Sequence, residues 1–114
     1  MAFDKKIAFI GGGNMAEALI KGILAAGVVK AGQVIVTDIS AERLEYLART
    51  HGITQVKSNK DAVSQAEIVL LCVKPQVMDW VLEEIAPAVD ASKLVVSIAA
   101  GVTIGRIEKA FAGI

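Results

Sequence analysis

The stretch Ile7-Ala8-Phe9-Ile10-Gly11-Gly12-Gly13-Asn14-Met15-Ala16 joins a four-residue apolar run directly to a glycine turn and then to the start of a helical pattern. A short run without polar alternation suits a strand buried on both faces of a parallel sheet. Gly11, Gly13 and Ala16 occupy the marked places of G-x-G-x-x-G/A. In that pattern the first glycine permits the tight turn, the second lets backbone approach a pyrophosphate, and the third small residue keeps the helix close to the strand. The helix that opens there presents unpaired N–H groups and the positive end of its dipole, an anion site over Gly12, Gly13, Asn14 and Met15.

Outward from this stretch the same alternation repeats. Further apolar runs stand at Val34-Ile35-Val36, at Ile68 to Val73 and at Leu94 to Ile98, with a weaker one at Ile53 to Val56. Helical patterns separate them. Met15, Ala16, Leu19, Ile20, Ile23 and Leu24 gather on one face before Gly27, and Ser40 is a fitting N-cap for a helix through Leu44 and Leu47 that ends near His51-Gly52. Ser58 and Asp61 precede a brief helix around Ala62, Val63 and Ala66; Pro75 starts another whose apolar face is Val77, Met78, Val81, Leu82 and Ile85. A last helix is expected after Thr103, with Ile104, Ile107 and Phe111 inward. Alternation of this kind, joined by right-handed crossovers, predicts an α/β fold with a doubly wound parallel sheet of the Rossmann type, one domain over residues 1–114.

Bulk properties narrow the function classes. Lys+Arg and Asp+Glu each number 12, so the formal net charge is zero and nothing electrostatic recommends nucleic acid or an anionic membrane as partner. No apolar run approaches the roughly 20 residues that span a bilayer, and Asp4 interrupts the start before a signal-peptide core forms. Cys72 is the single cysteine, which leaves no disulfide framework and no cysteine-rich metal site; a reducing cytoplasm is the expected location.

The glycine turn gains weight from its context. Asp38 ends the second run 22 residues after Ala16, about where an acid binding the adenosine ribose is expected. In a doubly wound sheet the ligand lies across the carboxyl ends of the strands, where strand order reverses. The loops Cys72-Val73-Lys74-Pro75 and Ile98-Ala99-Ala100-Gly101 are therefore expected to flank it.

Three segments together, Ile7 to Ala16, Val73-Lys74-Pro75-Gln76 and Val95-Val96-Ser97-Ile98-Ala99-Ala100-Gly101-Val102, resemble the amino-terminal domain of the pyrroline-5-carboxylate reductases. The first segment alone is shared with the wider 6-phosphogluconate-dehydrogenase-like and F420-dependent NADP-reductase groups. The resemblance implies reduction of 1-pyrroline-5-carboxylate, a small imino acid, to L-proline by hydride from NADP(H) or NAD(H). It also implies a pyrophosphate loop at Gly11 to Met15, with Asp38 and Ser40 at the adenosine ribose and Asn59 contacting the cofactor from its loop. Val73, Lys74, Pro75, Ala99 and Ala100 would border the nicotinamide half. In that family a helical carboxyl-terminal domain builds the dimer and most of the substrate pocket. It is absent from these 114 residues, so the chain alone is expected to bind cofactor, to turn over poorly and to form a homo-oligomer only at full length. No catalytic residue and no metal ligand is assigned within it. The alternatives are a related reductase of the wider groups and a dinucleotide-sensing module without chemistry.

Several residues carry two readings. Asp38 hydrogen-bonds a free 2′-hydroxyl and repels a 2′-phosphate, which favours NADH, yet Ser40 and Arg43 stand near enough in sequence to hold a phosphate. Lys74 suits either an ammonium beside the cofactor or a solvated loop lysine, and Asn59 either a cofactor contact or a helix-start hydrogen bond. His51 is a helix-end residue favoured by the dipole, Cys72 a small packing group, and Ser97 a buried hydroxyl without a triad. Trp80 belongs to the core or to a surface that a further domain covers. Glu83 and Glu84 diverge on a helix and make no acid/base pair.

Overall fold

The structure is a computed structural model and describes residues 4–98. The expected helix after Thr103 and the residues Ala99 and Ala100 lie outside the described part. Within it, β1 (Ile7–Ile10), β2 (Val34–Thr37), β3 (Thr54–Gln55), β4 (Ile68–Leu71) and β5 (Leu94–Ser97) form one sheet in the order β3-β2-β1-β4-β5. Every pairing is parallel. Helices α1 (Asn14–Ala25), α2 (Ala41–His51), α3 (Asn59–Gln65) and α4 (Met78–Ile85) make the crossovers.

The order dictates where each helix packs. From β1 to β3 the chain steps one way across the sheet, and right-handed crossovers put α1 and α2 on one face. From β3 it returns past β1 to β4 and β5, so the same handedness puts α3 and α4 on the other. The alternation along β1 shows both layers. Ile7 and Phe9 join Ala16, Ile20, Leu44 and Leu47 on the first face, while Ala8 and Ile10 join Ala62, Val63, Met78, Leu82 and Ile85 on the second. Phe9 and Ile10 are fully buried, and burial of each side chain of this size stabilises the fold by roughly 1.5–3 kcal/mol.

The helix ends follow local chemistry. Ser40 accepts from the Arg43 N–H at 3.2 Å to start α2, and Gly52 closes it with φ of 71°. Ser58 accepts from the Asp61 N–H at 3.2 Å to start α3, and Gly27, just past α1, has φ of 72°.

Three expectations need correction and one is decided between its alternatives. Met15 is 62% exposed rather than on the inward face of α1, because it stands in the first turn, beyond the end of the strand it would cover. Val77 turns outward, since Pro75–Val77 forms a 3-10 turn and the inward face of α4 begins at Met78. Of the two readings open for Trp80 the exposed one applies, at 80% exposed, while Met78 is core. The outer strands β3 and β5 are not buried on both faces: among the described residues each has a neighbour on one side only, and Leu94 and Val96 are exposed.

Candidate functional site

Strand order reverses at β1, and the chain leaving β1 is stitched to both neighbours there. The Gly11 N–H donates to the Thr37 carbonyl at 3.0 Å and the Cys72 N–H donates to the Ile10 carbonyl at 2.8 Å. The three glycines that follow β1 have different jobs. Gly11 has φ of 102°, and a Cβ on it would lie 2.9 Å from both the carbonyl carbon and oxygen of Cys72. Its turn therefore presses against the peptide that leaves β4. Gly12 is buried, and a Cβ there would meet Leu47 Cδ1 at 2.8 Å. Gly13 is exposed with φ of −75°, and a Cβ on it would meet nothing within 4 Å. The fold demands glycine at Gly11, where the contact is with backbone and φ is positive, crowds a side chain against Leu47 at Gly12, and makes no such demand at Gly13.

Open space at Gly13 adjoins the start of α1. The first helical bond runs from the Glu17 N–H to the Gly13 carbonyl at 3.0 Å, so the N–H groups of Asn14, Met15 and Ala16 have no acceptor within the helix. Asn14 and Met15 are exposed. A phosphate fits this arrangement by charge and by hydrogen bonding.

Asp38 stands beside this loop, just past β2. Its Oδ2 accepts from the Gly12 N–H at 2.8 Å and its Oδ1 from the Ser40 N–H at 2.9 Å. An ionised carboxylate has about four acceptor sites, so both oxygens retain capacity for a ligand hydroxyl. Ile39, next in sequence, is fully exposed.

A second network ties α1 to α2. Arg43 donates from Nε to the Gly12 carbonyl at 2.5 Å and from Nη2 to Glu17 Oε1 at 2.9 Å. Glu17 Oε2 accepts from the Tyr46 hydroxyl at 2.9 Å and from His51 Nε2 at 2.8 Å. The Arg43 guanidinium also lies 5.1 Å from the Tyr46 ring centre. Hydrogen bonds from His51, Tyr46 and Arg43, together with the Arg43 charge, hold the Glu17 carboxyl down to about 2. The same anion pushes the Tyr46 phenol upward. Glu17 stands in the first turn of α1, where the helix dipole itself favours a carboxylate.

The remaining expected residues are placed as follows. Asn59 lies in no loop; it opens α3, where its Oδ1 accepts from the buried Thr37 hydroxyl at 2.6 Å and its Nδ2 donates to Glu84 at 2.8 Å. Val73 packs partly onto the core, and Pro75 is the first residue of a 3-10 turn closed by the Val77 N–H on the Lys74 carbonyl at 3.1 Å. Lys74 is exposed. Burial pushes the Cys72 thiol up to about 12, consistent with a packing role. Among the described residues no group of His, Cys, Asp and Glu is arranged for a metal ion, and no helix is long and apolar enough to cross a membrane.

Comparison with known proteins agrees with this geometry. Residues 6–101 match the family model described as NADP oxidoreductase, coenzyme F420-dependent. A pyrroline-5-carboxylate reductase of Pseudomonas aeruginosa is 46% identical over 103 residues, which is 90% of this chain and 37% of that protein. The solved pyrroline-5-carboxylate reductase of Coxiella burnetii superposes with a TM-score of 0.89 at 34% identity, over 96% of this chain and 40% of that one. The Plasmodium falciparum pyrroline carboxylate reductase with NADP bound gives 0.85 at 27% identity, over 99% of this chain and 40% of that one. The chain thus spans about two-fifths of the length of these relatives. With the parallel sheet and its glycine turn in place, it belongs to the NADP oxidoreductase, coenzyme F420-dependent family, and its relatives there are pyrroline-5-carboxylate reductases.

Proposed function

We propose that the chain is the dinucleotide-binding part of an NAD(P)H-dependent imine reductase that converts 1-pyrroline-5-carboxylate to L-proline. The observation that carries this reading is the unequal use of the glycines: Gly11 is required by the backbone at Cys72 and Gly12 is crowded by Leu47, whereas the space at Gly13 is left open beside the α1 N-terminus. The backbone from Gly11 to Met15 takes the pyrophosphate through the free N–H groups of α1. Asp38 accepts from the adenosine ribose, Ser40 borders it, and Ile39 offers exposed apolar surface to the base. Asn59, fixed by Thr37 and Glu84, supports that end of the site from α3. Val73, Lys74 and Pro75, at the end of β4 across the switch point from Gly11, border the nicotinamide half. A bound nicotinamide supplies the hydride. The imino-acid pocket and a homo-oligomer are assigned to the larger part of the relatives' length that this chain does not span, and the reaction runs in the cytoplasm.

Calorimetric titration of the chain with NADPH and with NADH, alongside a Gly13→Val variant, tests the site. Binding by the parent and its loss in the folded variant support the reading. A folded parent that binds neither nucleotide reduces the glycine run to a structural turn.

A further inference from the structure

The family relationship leaves the adenosine ribose undetermined, since an NADP-bound relative shares the fold and Asp38 favours a free 2′-hydroxyl. The geometry points to Glu17 as the residue that decides it: by binding Arg43 it withholds the guanidinium from the ribose 2′ position, and the site takes NAD(H) in preference to NADP(H). This inference rests on the dinucleotide reading of the glycine loop.

Arg43 is the cation nearest the loop by its own bonds, reaching the Gly12 carbonyl from the first turn of α2. Two of its three guanidinium nitrogens are directed at Gly12 and Glu17, and its plane is kept near the Tyr46 ring. Holding a phosphate through a two-pronged fork requires two adjacent N–H donors facing the same way. Here Nε and one N–H of Nη2 are engaged, so a phosphate could use only the remaining Nη1–Nη2 edge and would share the cation with the Glu17 carboxylate. Glu17 does not release it easily, because Tyr46 and His51 fix the other carboxylate oxygen and the ion pair is largely enclosed, with side chains 25% and 16% exposed. The carboxyl stays ionised throughout the physiological range. Asp38 also stands at Gly12, accepting from its N–H, and is itself anchored by two backbone N–H groups. A 2′-phosphate would thus meet a fixed carboxylate and an arginine whose charge is already answered, whereas a 2′-hydroxyl needs only an acceptor. Glu17 acts through Arg43 and is a positioning residue.

The test compares dissociation constants of NADH and NADPH for the chain and for Glu17→Gln, Arg43→Met and the double variant, with folding checked by circular dichroism. The parent binds NADH more tightly. Glu17→Gln frees Arg43 and improves NADPH relative to NADH on the order of tenfold, the size of one charge-assisted hydrogen bond, and the double variant loses that gain. Arg43→Met alone keeps the parent ratio within about twofold, well under one such bond. A parent that prefers NADPH overturns the inference. So does a selective loss of NADPH in Arg43→Met, which is informative even if Glu17→Gln fails to fold, and so does an unchanged ratio in folded Glu17→Gln. If neither nucleotide binds the parent, the dinucleotide reading falls and this inference falls with it, whereas an unchanged ratio with binding intact removes only the selectivity.

Discussion

Replacing Gly11 and Gly13 one at a time by alanine separates the part of the glycine turn that serves the fold from the part that serves a ligand. At Gly11 the backbone has φ of 102°, and the new Cβ would sit 2.9 Å from Cys72 C and O. The strained conformation costs about 1–3 kcal/mol for a residue with a side chain. Relief of the contact must move the end of β4, which the Cys72 N–H to Ile10 carbonyl bond at 2.8 Å holds in place, and overpacking of this kind adds about 1–3 kcal/mol. Taken together the loss is roughly 2–6 kcal/mol, which at about 4–8 °C per kcal/mol for a domain of this size lowers the melting temperature by at least about 8 °C. At Gly13 φ is −75° and nothing lies within 4 Å of the new Cβ. The entropy that alanine removes from the unfolded chain, about 0.4–1 kcal/mol, is offset by the similar preference for glycine over alanine at an N-cap. The melting temperature therefore stays within a few degrees, and nucleotide affinity drops by on the order of tenfold or more as the methyl takes space the pyrophosphate needs. Thermal melts followed by calorimetry on both variants read the two effects. A Gly13→Ala protein as unstable as Gly11→Ala, or one that binds as well as the parent, refutes the division of labour.

Three further outcomes follow from the surrounding contacts. The Glu17 carboxyl is depressed from 4.5 to about 2, so its contribution to stability is complete above about 4.5 and is lost as pH falls toward 2. In urea titrations the gap between the parent and Glu17→Gln is constant at neutral pH and closes over that acidic window; a gap undiminished at the acid end contradicts the network. Thr37→Val removes the hydroxyl that donates to Asn59 and lowers stability by about 1–2 kcal/mol, read from the urea midpoint, while an unchanged midpoint means that Asn59 is held without it. Cys72, with its thiol raised to about 12, reacts with iodoacetamide at mildly alkaline pH only slowly in the native chain and rapidly once unfolded; equal rates in the two states would show the thiol is not enclosed.

Much of the fold was legible because it rests on short-range rules. Ser40 and Ser58 cap the helices that follow them, and the apolar runs at Ile7, Val34 and Ile68 became the three inner strands. What escaped was position within the sheet. Leu94 to Ser97 and Thr54-Gln55 look like the other strands or weaker copies of them, and only the order β3-β2-β1-β4-β5 places them at the edges with a face or a side uncovered. Val77 was misassigned for a different reason: Pro75 sets a tighter 3-10 turn before α4, which shifts the helical phase so that Met78 becomes the first inward residue.

The candidate site divides along the same line. Gly11, Gly12, Gly13 and Asp38 form a local pattern at fixed spacing, and the structure brings them together through the Gly12 N–H to Asp38 bond. Glu17 belongs to no such pattern, and its partners Arg43, Tyr46 and His51 come from a helix that meets α1 only when both lie on the same face of the sheet. Arg43 and Tyr46 are three residues apart and Tyr46 and His51 five, a step of about 140° around the axis, so spacing alone does not put the three on one edge of α2 and they meet only at Glu17. Their convergence on Glu17 was not legible, because it depends on how α2 packs beside α1. Whatever the glycine turn holds, the charge around it is governed by α2 as much as by the turn. If the glycine turn holds a dinucleotide as proposed, its spacing does not disclose which one, and on the inference above that choice resides in side chains joined across the two helices.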